Sequence, residues 1–208
     1  MKFPVRPRTL EQLEEMSTPQ PVKGGQSEAV PWQLFDVQTY VSAATTNLRF
    51  FETAPATPQL GNTGGQGLPS PQFFEVYYAS LDIKVEPDVA AAHDPILDVW
   101  SILNGVAGGL AGDPTWSFTL ADKVLGQFPL RGLHTLGGPT GFTTNVTTEY
   151  ANNADASGVG TFCFDGAIVI PPTQRFNIAL TWPAAVTLTA GNIELAVTLS
   201  GVLHRRVL

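Results

Sequence analysis

The stretch FFEVYYASLDIKV, residues 73–85, carries the pattern that decides the fold. Tyr77, Ala79, Leu81, Ile83 and Val85 recur at every second position, with Tyr78, Ser80, Asp82 and Lys84 opposite them. Successive side chains of a strand point to opposite faces, so this alternation predicts a strand with one face on a core. Pro87 cannot donate to a ladder and ends it. The same period returns near the C-terminus. QRFNIALTW (174–182) sets Phe176, Ile178, Leu180 and Trp182 on one face, and NIELAVTLSGVLHRRVL (192–208) does so with Ile193, Leu195, Val197 and Leu199, leaving Thr198 and Ser200 outward.

Working outward, further strands are expected in WQLFDVQTYV (32–41), NLRFFET (47–53), TWSFTLA (115–121), VLGQFPLRGL (124–133), GFTTNVTTEY (141–150) and VGTFCFDGAIVIPP (159–172). One helix stands among them, in HDPILDVWSILNGVAGG (93–109). Asp94 suits its N-cap and Pro95 its first position, and Ile96, Val99, Trp100 and Leu103 recur at helical spacing as the face toward a sheet. Strands at short spacing with Gly/Pro turns and one helix predict an all-β protein. The expected architecture is a single jelly-roll β-sandwich of about eight strands, with one inserted short helix and an extended N-terminal arm. Residues 1–28 are read as the arm and 29–208 as the jelly-roll domain. The arm holds four prolines and a Gly-Gly, with Thr9 as the cap of a short helix over Leu10–Met16. Leu10 and Leu13 share one face of that helix, which is too short to stand without a neighbour.

Composition points the same way. Of 208 residues 43% are hydrophobic but only 14% are charged, and the 20 Gly and 17 Pro disfavour long helices. So little charge on a chain of this size suggests that much of its surface is covered by something else. The net charge of −7 is uneven: residues 50–174 carry twelve acidic side chains against three basic ones. Lys2, Arg6 and Arg8 open the chain and Arg205-Arg206 nearly close it, so its ends are mildly basic. The single cysteine, Cys163, excludes an internal disulfide and, with apolar neighbours, reads as a buried inert thiol. No secretory signal or run of eighteen apolar residues is visible, and a chain folded in a cytoplasm is expected.

Catalytic signatures are missing. His93, His134 and His204 are far apart, with no ligand partner at metal-binding spacing, and His93 and His134 read as exposed loop residues. There is no nucleophile elbow, P-loop or dinucleotide fingerprint, and the Gly-rich stretch 105–112 follows a helix instead of opening one. The acidic body disfavours nucleic-acid binding, and the Asn145-Val146-Thr147 sequon is read as chance. The expectation is therefore a chain without enzymatic activity, with no catalytic, metal or cofactor-binding residues and no small-molecule substrate. A carbohydrate- or receptor-binding sandwich of spike or decoration type is the alternative, but Trp32, Trp100, Trp116 and Trp182 all fall at positions expected to face a core.

The segments TNLRFFE and GLPSPQFFEVYYASLDIKV, with FDGAIVIPPTQRFNIALTW, together resemble jelly-roll capsid proteins of tailless icosahedral bacteriophages, including those that enclose a membrane. The resemblance covers about 46–85 and 164–207. It implies a coat subunit, with a major coat role favoured, found in the virion after assembly in the host cytoplasm. Its partners would be copies of itself and other virion proteins, with the basic ends turned to an internal membrane or genome. The irregular stretch 55–72 then becomes an interface loop. The residues implied at interfaces are Phe3, Arg6, Arg8, Leu10, Leu13, Pro58, Leu60, Asn62, Leu68 and Pro69. Those implied to face the interior are Lys2, Arg6, Arg8, Arg205 and Arg206.

Overall fold

A computed structural model describes residues 8–9, 12–13, 26–63, 65, 67–84, 95–105, 113–133, 139–142, 151–153, 161–189 and 191–207. In chain order the elements are β1 (Gln26–Val41), β2 (Asn47–Phe50), β3 (Phe73–Lys84), α1 (Pro95–Asn104), β4 (Thr115–Leu120) and β5 (Lys123–Pro129). A 3-10 turn (Leu130–Gly132) leads on to β6 (Pro139–Phe142), β7 (Ala151–Asn153), β8 (Thr161–Ile170), β9 (Phe176–Thr181) and β10 (Asn192–Val207). β6 and β7 form a separate two-stranded ribbon, so the expected strand 141–150 does not join the sandwich in its described part.

The eight remaining strands form two antiparallel four-stranded sheets, ordered β1-β10-β3-β8 and β2-β9-β4-β5. The order has a simple origin. β4 and β5 fold back on each other through Ala121-Asp122, where Ala121 takes a left-handed φ of 52°. Outward from that turn, β3 pairs with β8, β2 with β9 and β1 with β10. The chain is thus one long antiparallel hairpin, rolled so that alternate pairs fall in opposite sheets. That is a jelly roll, as the strand pattern predicts.

Both sheets turn their alternating apolar faces inward. Phe176, Ile178, Leu180 and Trp182 from one sheet and Ile193, Leu195, Val197 and Leu199 from the other belong to the same buried core, as do Trp116 and Phe118. Each such side chain contributes about 1.5–3 kcal/mol on leaving water, which makes this layer the main source of stability. Trp116, Phe128, Phe162 and Phe164 pack as a ring cluster with centroid separations from 4.5 to 6.3 Å.

The alternation of β3 breaks at one point. Val76 pairs with Gly201 and Tyr78 with Ser200, so Tyr77 is an extra residue, a β-bulge. Before the bulge Phe74 and Val76 face the core; after it, Ala79 and Leu81 do. Tyr77 therefore does not share the face of Ala79 and Leu81, as the sequence suggested, but lies on the outer face with Glu75. Gly201 makes the approach possible, since a Cβ there would sit 1.8 Å from the Glu75 carbonyl oxygen.

Other expectations also need correction. α1 buries Asp98, Ser101, Ile102 and Leu103, while Trp100 is exposed. Leu103 is buried and Val99 packs against the core as predicted, and the Ile96 side chain lies outside the described residues. Trp100 is turned off the buried face because Asp98 accepts hydrogen bonds from the Thr189 backbone N–H (2.7 Å) and hydroxyl (2.9 Å), and the Ile102 carbonyl accepts one from Trp182 Nε1 (2.8 Å). Trp32 is 48% exposed, for it lies in a terminal strand opposite the side-chain-free Gly201. Trp116 and Trp182 are buried as expected. Cys163 is exposed because its neighbours Phe162 and Phe164 take the inward positions on either side of it. His93, His134 and Asp94 lie outside the described residues.

Gly201→Ala is expected to destabilise the fold by about 2–4 kcal/mol, since a methyl group meets a main-chain oxygen that the ladder holds in place. Urea denaturation checks it. A loss below about 0.5 kcal/mol would mean that the bulge can relax around the methyl group.

Candidate functional site

Two features attach irregular chain to the sandwich, and together they define the surface available for function. The first is a buried polar cluster on the outer face of the β1-β10-β3-β8 sheet. Glu75 sits in β3 with apolar cross-strand neighbours, Val169 in β8 and Val202 in β10. Its carboxylate accepts four hydrogen bonds. Oε1 takes one from Arg8 Nη1 (3.0 Å), and Oε2 takes one from the Arg8 backbone N–H (2.9 Å) and one from the Tyr77 hydroxyl (3.3 Å). His204 Nε2 lies 3.1 Å from Oε2 and completes the set. Glu75, Tyr77 and His204 are all buried, although they lie on the face of the sheet away from the core.

Burial alone would push the Glu75 carboxyl up. The His204 hydrogen bond, the Arg8 backbone N–H, the His204 charge and the Arg8 side-chain donor outweigh it, and hold the group below its ordinary value of 4.5. Burial, together with the Glu75 charge beside it, pushes the Tyr77 hydroxyl up to about 12. A carboxylate this fully bonded is an anchor for charge, and all four of these bonds come from this chain.

What it anchors is the arm. Thr9 Oγ1 accepts the Gln12 N–H (3.3 Å) and Gln12 Oε1 accepts the Thr9 N–H (2.9 Å), a reciprocal capping box that opens the helical turn at Gln12 and Leu13. Thr9 is thus the cap the sequence predicts, and Gln12 is the partner it did not reveal. The turn delivers Leu13, fully buried, onto Phe73 and Val169.

The second feature is the stretch 51–72. β1 is a terminal strand, and the polar groups along its free edge need partners. Val37 N–H donates to the Leu60 carbonyl (2.8 Å) and Asn62 N–H to the Phe35 carbonyl (3.2 Å). The Asn62 side chain acts as a further piece of strand, accepting the Phe35 N–H (3.0 Å) and donating to the Gln33 carbonyl (2.7 Å). The ends of the stretch are held too. Phe51, at a left-handed φ of 67°, donates its N–H to the buried Asp36, whose pKa burial raises against that bond. Leu68 is buried, and its carbonyl accepts the Thr173 N–H (2.8 Å).

Several residues assigned to contacts with a neighbour are therefore engaged at home. Leu13 and Leu68 are buried in their own chain, Arg8 is paired to Glu75, and Leu60 and Asn62 pair with β1. The physical reason is that an unpaired edge and a buried carboxylate both require partners, and nearby chain supplies them. Pro58 and Pro69 remain exposed. Arg205 pairs with Glu28 across the β1–β10 ladder (2.9 Å) instead of standing alone as a basic end. Lys2, Phe3, Arg6, Leu10 and the Arg206 side chain lie outside the described residues.

Sequence reasoning overlooked Glu75, Tyr77 and His204 as a unit. The signal was an acid within the aromatic run FFEVYY, which a buried strand tolerates only with a partner. Among the described residues no three His, Cys, Asp or Glu side chains gather as a metal site, and no helix is long and apolar enough to cross a membrane. No protein-family model and no curated protein sequence matches the chain.

The raised Tyr77 group contributes stability that is present below the ordinary tyrosine value of 10.0 and lost as pH rises through about 12. Tyrosinate absorbance during an alkaline titration is expected to show a step near 12, removed by Tyr77→Phe; a titration unchanged by that substitution contradicts the assignment.

Proposed function

We propose that the chain is a structural subunit of an icosahedral phage shell, with a major coat role favoured, and that it works through contacts with its own copies and other virion proteins. The observation that carries this reading is a pair of exposed apolar residues on a terminal strand of the jelly roll: Val124 is 58% and Leu125 39% exposed in β5. Exposed apolar residues on the last strand of a sheet are a liability for a monomer and a contact surface for an assembly. Pro58 and Pro69 add exposed, uncharged loop surface. The jelly roll supplies the stiff body such contacts need, and the low charge of 14% suits surfaces that lose water on assembly. Many modest interfaces of this kind add up to a closed particle. The function is then geometric, with no reaction performed.

Light scattering with negative-stain imaging tests this reading. Closed particles or symmetric rings are expected, and Val124→Lys with Leu125→Lys is expected to abolish them while circular dichroism stays unchanged. A 22.2 kDa monomer at all concentrations would overturn it.

A second reading, a carbohydrate-binding sandwich, gains support from Trp32. Its half-exposed ring lines an open groove with Gln33, Asn62 and Ser200, an apolar face beside polar groups of the kind that sugars stack on. Titration with oligosaccharides should shift tryptophan emission, and Trp32→Ala should remove the shift; unaltered emission disposes of the reading.

A further inference from the structure

The cluster at Glu75 holds a segment that belongs to neither sheet. Arg8 meets Glu75 through both its backbone and its guanidinium, and five residues on Leu13 is buried against Phe73 and Val169. Between them the capping box of Thr9 and Gln12 sets the turn that makes both contacts at once. One polar and one apolar contact therefore secure the described part of the arm. The polar contact depends on a single ionised carboxylate.

We propose that Arg8, Thr9, Gln12 and Leu13 belong to an acid-released strap, docked on the outer face of the first sheet while Glu75 is ionised and freed when it takes up a proton. The titratable and charged groups that face Glu75 are Arg8 from the arm, Tyr77 from β3 itself and His204 from β10, while β8 presents Val169. Protonation removes the charge that Arg8 pairs with and makes one carboxyl oxygen a donor; the Tyr77 hydroxyl and the His204 ring can accept from it, whereas Arg8 offers only donors and loses its partner. The Arg8 guanidinium, partly exposed, then has water as the better partner. The Tyr77 hydroxyl stays protonated throughout and follows the carboxylate instead of opposing it. The direction is consistent with the depressed value of Glu75. Docking is complete above 4.5 and is lost as pH falls through the lower value of the folded state. Release uncovers Phe73 and Val169 and leaves the two sheets paired, since neither contact of the strap is a ladder hydrogen bond.

Hydrogen exchange read by mass spectrometry on the full chain, at neutral pH and at about pH 3.5 with rates corrected for intrinsic exchange, tests the strap. In the unmodified chain, protection of 8–13 is expected to drop several-fold on acidification, up to about tenfold, while 74–81 and 193–203 stay protected. Glu75→Gln is expected to show the released state already at neutral pH. Because that substitution falls at a buried site and can impair folding, Arg8→Gln, at a partly exposed position, provides an independent check with the same expected release and an intact core. Protection of 8–13 that is unaffected by acid, that disappears only together with the core strands, or that survives Arg8→Gln would each overturn the proposal.

Discussion

The sixteen-pair ladder between β1 and β10 is the constraint on which the rest of the structure depends. It joins Gln26 to Val207 and Val41 to Asn192, so the first and last strands lie side by side and everything between them must be accommodated as a rolled hairpin. The entropy of closing so long a loop grows only logarithmically with its length, and the ladder offsets it with hydrogen bonds and apolar burial along its whole run. Once formed, the ladder leaves β1 with an open outer edge. Its backbone groups at Gln33, Phe35 and Val37 then require partners, and the otherwise irregular chain at Leu60–Asn62 supplies them. A long loop that reads as surplus in the sequence is the lateral seal of the first sheet.

Three buried acids extend the same principle. Glu75 accepts the backbone N–H of Arg8, Asp36 that of Phe51, and Asp98 that of Thr189. Each donor belongs to a segment outside the ladders: the arm, the corner after β2 and the approach to β10. A buried carboxylate is tolerated only where donors surround it, so each acid specifies where one such segment must lie. The sheets provide most of the stabilising burial. The acids decide how the connections are arranged on them.

This division explains what could be read in advance. The faces of β9 and β10 were legible because their alternation is uninterrupted, and Phe176 to Trp182 and Ile193 to Leu199 lie where the period puts them. β3 was legible at Ala79 and Leu81 but not at Tyr77. A bulge leaves no mark of its own in the alternation, and its cause, the close approach of Gly201 to Glu75, lies on a strand more than a hundred residues away. Cys163 was misread from its apolar neighbours, whose inward placement is the reason it points out. α1 was misread at Trp100, because polar docking through Asp98 shares the buried face with Val99 and Leu103, where apolar spacing favoured Trp100.

By itself the sequence determined that this is an all-β chain with one helix, where most strands run and which faces of the regular ones turn inward. Those properties follow from local sterics and the two-residue period of a strand, which each segment carries within itself. Only the tertiary structure decided which strands pair, that Arg8 and His204 meet at Glu75, and that Leu60–Asn62 closes the edge of β1. Hydrogen-bond donors and charges find their partners by position in space, and residues 8, 75 and 204 become neighbours only after the hairpin has rolled.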